Sequence, residues 1–338
     1  MKKNIEKNIE QTEHENMNKK QFIFFFFLSF SVGEMTAQLD AQFSQYVENQ
    51  AAINPGSIAG NDMLNLSGVY RQQWAGFKRA PSDMFFSVNM PVSVFDTKHG
   101  IGVAFFREDI GLFKTQTVHL QYSYKMKLFD GILGLGLNVG FTNQTFNKDE
   151  ADLTGNGGQL GEGDDYHNIS DPFLTSATET DDIAFDAGVG CFFSNQLMYA
   201  GISVSHLTAP TTDYGGSAIL YIPRVFYLTG GYNISLSNAF YVLKPSILMR
   251  TDFRSLQTEL TTLLEYNKKI QGGLSYRLQD AVVFIVGINL LNGLYAAYSY
   301  DLPASKMIRS GGSHEISLRY SFKPEFSKKN KYKSVRIL

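Results

Sequence analysis

The sequence predicts an all-β chain: a transmembrane antiparallel β-barrel of about 14 strands behind an N-terminal signal peptide. Three observations lead there. Stretches of strict apolar–polar alternation recur along the chain. The connections between them are alternately long and short. No apolar run after residue 37 is long enough for a membrane helix. Alternation by itself fits a half-buried strand in a soluble sheet equally well, so the loops have to decide.

Lys19 and Lys20 precede "QFIFFFFLSFSV" (21–32), and the small residues Thr36 and Ala37 follow. This is the order of a signal peptide cleaved after Ala37, although Met35 is larger than the residue usual at its place. The lead-in "KKNIEKNIEQTEHEN" is foreign to a signal, so Met17 is the expected start. The apolar run is shorter than the roughly 20 residues a spanning helix needs. The expected division is therefore 1–37 as signal peptide, 38–63 as a periplasmic or luminal segment, 64–322 as the barrel, and 323–338 as a basic periplasmic tail.

Composition supports the class. There are 27 Phe and 18 Tyr but one Trp, and the formal net charge of -2 gives no bias toward nucleic acid. Cys191 is the only cysteine, which excludes a disulfide within the chain, and its setting "FDAGVGCFF" suits apolar packing.

Strand candidates start near Leu64, Asp83, Gly100, Thr117, Gly131, Ile183, Met198, Tyr227, Phe240, Gln257, Ile270, Ala281, Gly293 and Gly312. In "TVHLQYSY", Val118, Leu120, Tyr122 and Tyr124 alternate with Thr117, His119, Gln121 and Ser123. In "GILGLGLNVGFT", Leu133, Leu135, Leu137, Val139 and Phe141 oppose Gly134, Gly136, Asn138 and Gly140. In "YLTGGYNISL", Leu228, Tyr232, Ile234 and Leu236 oppose Thr229, Asn233 and Ser235. The last, "HEISLRYSF" (314–322), sets Ile316, Leu318, Tyr320 and Phe322 against Glu315, Ser317, Arg319 and Ser321.

The short connections read "DTKH", "LFDG", "SNQ", "LSNA", "NKK" and "LLN". The long ones are "QQWAGFKRAPS", the stretch 143–182, "HLTAPTTDYGGSAILYIP" and "LPASKMIRSGG"; "LQD" near 279 is short where a long one is expected. A soluble sandwich has no cause to follow such a rule, whereas an outer-membrane barrel has periplasmic turns and longer external loops. The parity selects the barrel, with Glu315, Ser317 and Arg319 facing the lumen. Fourteen strands enclose more space than side chains fill. Glycines at 134, 136, 140, 188, 190 and 231 suit a curved wall, or an interior partly filled by a plug.

Chemistry-bearing motifs are scarce. The loop 144–182 holds Asp149, Glu150, Asp152, Glu162, Asp164, Asp165, Asp171 and Asp181 without EF-hand spacing, and reads as a solvated surface loop. Ser203, Ser205 and His206 in "GISVSHL" lack the flanking glycines of a nucleophile elbow; alternation puts the two serines on one face and His206 on the other, and they read as structural hydroxyls and a lumen or rim histidine. The expectation is no enzyme activity, no catalytic residue, no cofactor and no metal. "QFSQYVENQAAINPGSIAG" (42–60) carries the turn signal Asn54-Pro55-Gly56 and reads as an extended segment entering or capping the lumen. Trp74 and Phe77, in "YRQQWAGFKRAP", fit interfacial anchors or a recognition surface. Lys328, Lys329, Lys331, Lys333 and Arg336 make the tail a solvated strip or a docking strip for an acidic partner.

Two of these segments resemble the opening signature of the PorP/SprF family: Gln42 to Tyr46, Asn54-Pro55, Ala59-Gly60, Tyr70-Arg71, Gln73-Trp74, Gly76-Phe77 and Ala80-Pro81. "FDAGVG" at 185, "YAGISVSHL" at 199, "KPSILMR" at 244 and "SHEISLRYSF" at 313 are similar too. The chain departs in lacking the alanine and aromatic that usually follow the proline, and in its long basic tail. The resemblance implies a cell outer-membrane component of the type IX secretion and gliding-motility system. Its implied partners are periplasmic ring and lipoprotein components, secreted adhesin cargo and outer-membrane lipid. Candidate partner-binding residues are Gln42, Phe43, Gln45, Tyr46, Tyr70, Arg71, Gln73, Trp74, Phe77, Lys328, Lys329, Lys331 and Lys333. The alternative function is an outer-membrane porin or small-solute transporter, with the 144–182 loop narrowing an open lumen.

Overall fold

The structure is a computed structural model that describes residues 40–146, 182–213, 219–290, 293–304 and 310–323. The barrel lies within one compact unit, Leu39–Asp252 with Leu256–Leu338. The expected signal peptide, the middle of the acidic loop and the lysines of the tail lie outside the described residues.

The strands are β1 (Leu64–Gln72), β2 (Ser82–Val94), β3 (Thr97–Ile110), β4 (Phe113–Leu128), β5 (Gly131–Phe146), β6 (Asp182–Ser194) and β7 (Met198–Ser205). After them come β8 (Thr211–Asp213), β9 (Ile219–Tyr221), β10 (Val225–Tyr232), β11 (Ile234–Ser235) and β12 (Tyr241–Thr251). The chain closes with β13 (Leu256–Tyr266), β14 (Ile270–Arg277), β15 (Ala281–Asn289), β16 (Leu294–Pro303) and β17 (Ser313–Phe322). β8 and β9 form a separate hairpin, and β11 carries on the line of β10 against β12. The other strands make one antiparallel meander. It closes where β1 meets β17, Leu64 opposite Phe322, while β10 pairs with both β7 and β12. The result is a closed 14-strand barrel in which every strand is paired on both sides, so the wall presents no sheet edge. Each of the 14 starts expected from sequence falls within four residues of an observed barrel strand.

The pleat distributes side chains inside out relative to a soluble protein. Along β4, Thr117, His119, Gln121 and Ser123 are buried, while Val118, Leu120, Tyr122 and Tyr124 are exposed. On β17, Glu315 and Ser317 are buried and Ile316 and Leu318 are exposed. A continuous exposed apolar face of this kind is far larger than water tolerates on a monomer; it is the lipid face of an outer-membrane barrel. Strands of up to 16 residues exceed the roughly 9–11 that cross the hydrocarbon.

One end carries the tight turns, among them Phe95-Asp96, where both residues have positive φ (48° and 61°), the twist a two-residue hairpin requires. The first residue of β1 and the last of β17 meet at that same end. At the other end run the connections 73–81, 206–224 and 304–312. Connections 111–112 and 278–280 are short there too, so the rule is strict at one end and loose at the other.

Candidate functional site: a luminal plug held by buried charges

Residues 40–63 run through the lumen before β1 begins. Their only regular pieces among the described residues are two 3-10 turns, Gln50–Ala52 and Pro55–Ser57. The second follows from sequence directly. Pro55 fixes φ at the first helical position and keeps Asn54 extended, and Asn54 Oδ1 accepts the N–H of Gly56 at 2.8 Å.

Opposite this turn the wall has lost its side chains. A Cβ on Gly134 or Gly136 of β5 would run into the backbone of Gly56, and one on Gly190 of β6 into Asn54. The glycine run in β5 is therefore a cradle for the plug. By contrast Gly140 abuts Val118, Gly188 abuts Asn138 and Gly231 abuts Tyr199, all within the wall. Lys125 Nζ and Ser123 Oγ donate to the Gly56 carbonyl at 2.7 and 3.3 Å, and Asn54 Nδ2 donates to the carbonyls of Cys191 and Ile202 at 3.0 and 3.1 Å.

On the far side of the lumen the plug meets charge. Glu315 accepts the backbone N–H groups of Ser44 and Gln45 at 2.7 and 2.9 Å. Arg71 of β1 lies 2.8 Å from Asp301 and 3.3 Å from Glu315. Arg277 of β14 lies 3.0 Å from both Glu259 and Asp301. Ser44 Oγ sits at the centre: it accepts from Arg71 and Arg277 at 2.8 and 2.9 Å and donates to Asp301 at 2.9 Å. Gln42 donates to Glu259 at 3.0 Å and accepts from Arg250. All these groups are buried. Desolvating them is costly, and only mutual pairing with full hydrogen bonding offsets that cost. Three small apolar contacts complete the seat: Phe43 on Val69, Phe85 and Ala104; Tyr46 on Val225, Tyr227 and Leu248; and Val47 on Leu263, Val283 and Ile285.

Two further ties hold the segment, one at its start and one part-way along it. His206 stands between Asp40 of the plug (Nε2–Oδ1 3.0 Å) and Asp186 of β6 (Nδ1–Oδ2 2.7 Å). Burial would strip its proton, but the two carboxylates win and hold the imidazole well above its ordinary pKa. Burial likewise pushes Asp40 up, but His206, the Tyr227 hydroxyl and Arg250 bring it below the usual carboxylate range. Nearer the tight-turn end, Glu48 pairs with Arg319 at 2.6 Å and accepts from Gln271 at 3.1 Å. Despite burial, those partners and Lys244 hold its carboxyl low. A polar vestibule of about 460 Å3 opens beside this pair, between the plug and the β1–β2 and β16–β17 wall.

The candidate residues from sequence divide sharply. Gln42, Phe43, Gln45, Tyr46, Arg71 and Gln73 are buried, and seat the plug or line the lumen. Tyr70 is on the lipid face, Phe77 is exposed on the first long connection, and Trp74 is half-buried there with its backbone N–H donating to the Ser313 hydroxyl. Lys328, Lys329, Lys331 and Lys333 lie outside the described residues. His206 is the lumen or rim histidine expected, although alternation alone set it opposite the serines: the strand ends at Ser205, and a φ of +53° turns the imidazole into the lumen alongside Ser203. Glu259, Arg277 and Asp301 carry the charge cluster yet were not singled out from sequence. Their signal was a charge at an inward place of an otherwise apolar strand.

A comparison with curated proteins found no match. Among solved structures the chain is similar in fold to the toluene transporter TodX of Pseudomonas putida (11% identity, 80% of this chain and 92% of that one, TM-score 0.43) and to a FadL homologue of Pseudomonas aeruginosa (13%, 80% and 92%, 0.45). The CymD monoaromatic hydrocarbon channel is also similar (10%, 81% and 92%, 0.46). Likeness at this distance says nothing of ligands. A family model described as type IX secretion system membrane protein PorP/SprF matches residues 35–320. That span takes in the plug and nearly all of the barrel, and the chain belongs to the PorP/SprF family of type IX secretion membrane proteins.

Proposed function

We propose that this protein is a non-enzymatic outer-membrane component of the type IX secretion and gliding machinery that works through protein contacts. It supports the secretion or surface attachment of particular adhesin-like cargo, and periplasmic ring or lipoprotein components are its partners on the inner side. Export depends on residues 1–37 acting as a signal peptide. Tyr70, Trp74, Phe77 and the lysines 328, 329, 331 and 333 supply contacts outside the lumen, while Gln42, Phe43, Gln45, Tyr46, Arg71 and Gln73 keep the plug in register with them.

The observation that carries this reading is the plug. A passive channel needs a water-filled path, and here residues 40–63 bond to the wall on β1, β4, β6, β7, β12, β13, β16 and β17. Planar-bilayer recording of the purified protein is the test, with no steady conductance expected. Regular conductance steps or sugar uptake by proteoliposomes would restore the porin alternative. For partners, deletion of 324–338 should lower recovery of periplasmic components in pull-downs; unchanged recovery removes the tail from the proposal.

A further inference from the structure

We infer that the outer wall carries a binding site for a lipid acyl chain, over β6, β7, β10 and β12, whose shape is set by the plug from inside. A groove of about 600 Å3 lies there, walled by Val189, Ile202, Val204, Phe226, Leu228 and Met249. Val189, Ile202 and Leu228 hold outward places and are 40%, 59% and 47% exposed, whereas Ser203 and Tyr227 between them face the lumen and are buried. The groove therefore belongs to the lipid face.

A barrel wall curves outward, so a hollow on it needs the wall drawn in. Hydrogen bonds that tie this part of the wall to the plug are present. Cys191 and Ile202 stand opposite each other on β6 and β7, and Asn54 holds the carbonyls of both from the lumen. The next residue along, Ser203, donates to the Ile53 carbonyl, and Tyr227 on β10 donates to Asp40 at 2.9 Å. β7 and β10 are also short, eight residues each.

The occupant follows from chemistry and place. No charged side chain lines the groove among the described residues, so a headgroup or a peptide strand would leave its polar groups unpaired. The groove opens into the apolar band, where the surrounding medium is hydrocarbon. A methylene takes about the volume of a water molecule, roughly 30 Å3, so the hollow has room for a stretch of acyl chain. Lipid and groove are equally apolar, so the preference comes from packing contacts alone. It is expected to be about three- to tenfold over bulk lipid.

The full chain in nanodiscs of phosphatidylcholine carrying a mid-chain diazirine, irradiated and mapped by mass spectrometry, tests this. Adducts should be about three- to tenfold denser on Ile202, Leu228 and Met249 than on Leu120 and Phe141 of β4 and β5, which are at least as exposed. Met249→Trp should fill the groove and abolish the excess, and Asn54→Ala should reduce it by letting the floor relax. Should Asn54→Ala fail to fold, Met249→Trp, which touches only the outer face, decides the matter. Equal labelling of both walls overturns the site, as does an excess that survives Met249→Trp. Disulfide-linked dimers through Leu228→Cys in a Cys191→Ala background would overturn it too, by showing that a second copy covers the groove.

Discussion

Glu315 on the last strand and Ser44 in the plug are joined by a carboxylate–amide hydrogen bond of 2.7 Å, and the second oxygen of the same carboxylate takes the N–H of Gln45. Glu315 thus turns two consecutive peptide N–H groups toward the wall while Arg71 neutralises it from the side. Glu315→Ala would leave both N–H groups and a guanidinium buried without that partner. A loss of about 3–5 kcal/mol is expected. Glu315→Gln keeps one acceptor oxygen, sets an amide NH2 against the other N–H and loses the charge, and should cost about 1.5–3 kcal/mol. Urea titration in lipid vesicles measures the loss, and limited proteolysis should find residues 40–60 newly accessible. Wild-type behaviour of Glu315→Ala in both assays would mean that the plug is held elsewhere.

The glycine cradle makes a separate prediction. A methyl group on Gly136 meets the backbone of Pro55 and Gly56, which cannot rotate away as a side chain would. Gly136→Ala should therefore displace the plug turn and raise bilayer conductance above a silent wild type. Gly68→Ala is the control, since a Cβ there finds the nearest atom, of Phe86, at an ordinary 4.0 Å. If the two variants conduct alike, the cradle does not seat the plug.

The Asp40–His206–Asp186 tie sets a pH dependence at the rim. The folded-state pKa of His206 is raised, so its stabilisation is complete below the unfolded value of about 6.5 and is lost as pH rises through the higher folded value. Asp40 is depressed, so its share is present above about 3.9 and is lost as pH falls through the lower folded value. The tie should hold steady across neutral pH and loosen on strongly alkaline and strongly acidic sides. Melting temperature of the folded barrel against pH is the measurement, with His206→Gln removing the alkaline limb. An alkaline limb of undiminished size in His206→Gln would assign it to another group.

The barrel was legible because a membrane strand writes its two faces in every second residue. Val118 and Leu120 against Thr117 and His119 leave one choice once the loops exclude a soluble sheet. The plug was only half legible. The Asn54-Pro55-Gly56 turn and the glycines of β5 were each visible, but what joins them is a contact between residues about 80 apart in sequence, which no local pattern carries. The charge cluster was less visible still. Arg71, Glu259, Arg277, Asp301 and Glu315 come from five strands, and each alone reads as an ordinary polar lumen residue. His206 escaped the period-two rule because a left-handed residue ends the strand one place early.

The lipid face itself can be tested with one substitution. Leu120 is in the middle of β4, 61% exposed, with Val118 and Tyr122 exposed on either side. In water, arginine there would be harmless or would improve solubility. Against hydrocarbon, a charge near the midplane should cost about 2–4 kcal/mol, falling to about 0–1 toward the interfaces. Leu120→Arg should therefore destabilise refolding into lipid vesicles by that larger amount. Phe95→Arg, on the 95% exposed turn at the tight-turn end, should be nearly neutral. A depth-dependent difference between the two is what a membrane wall requires, and equal stability of both variants would contradict a lipid-facing β4.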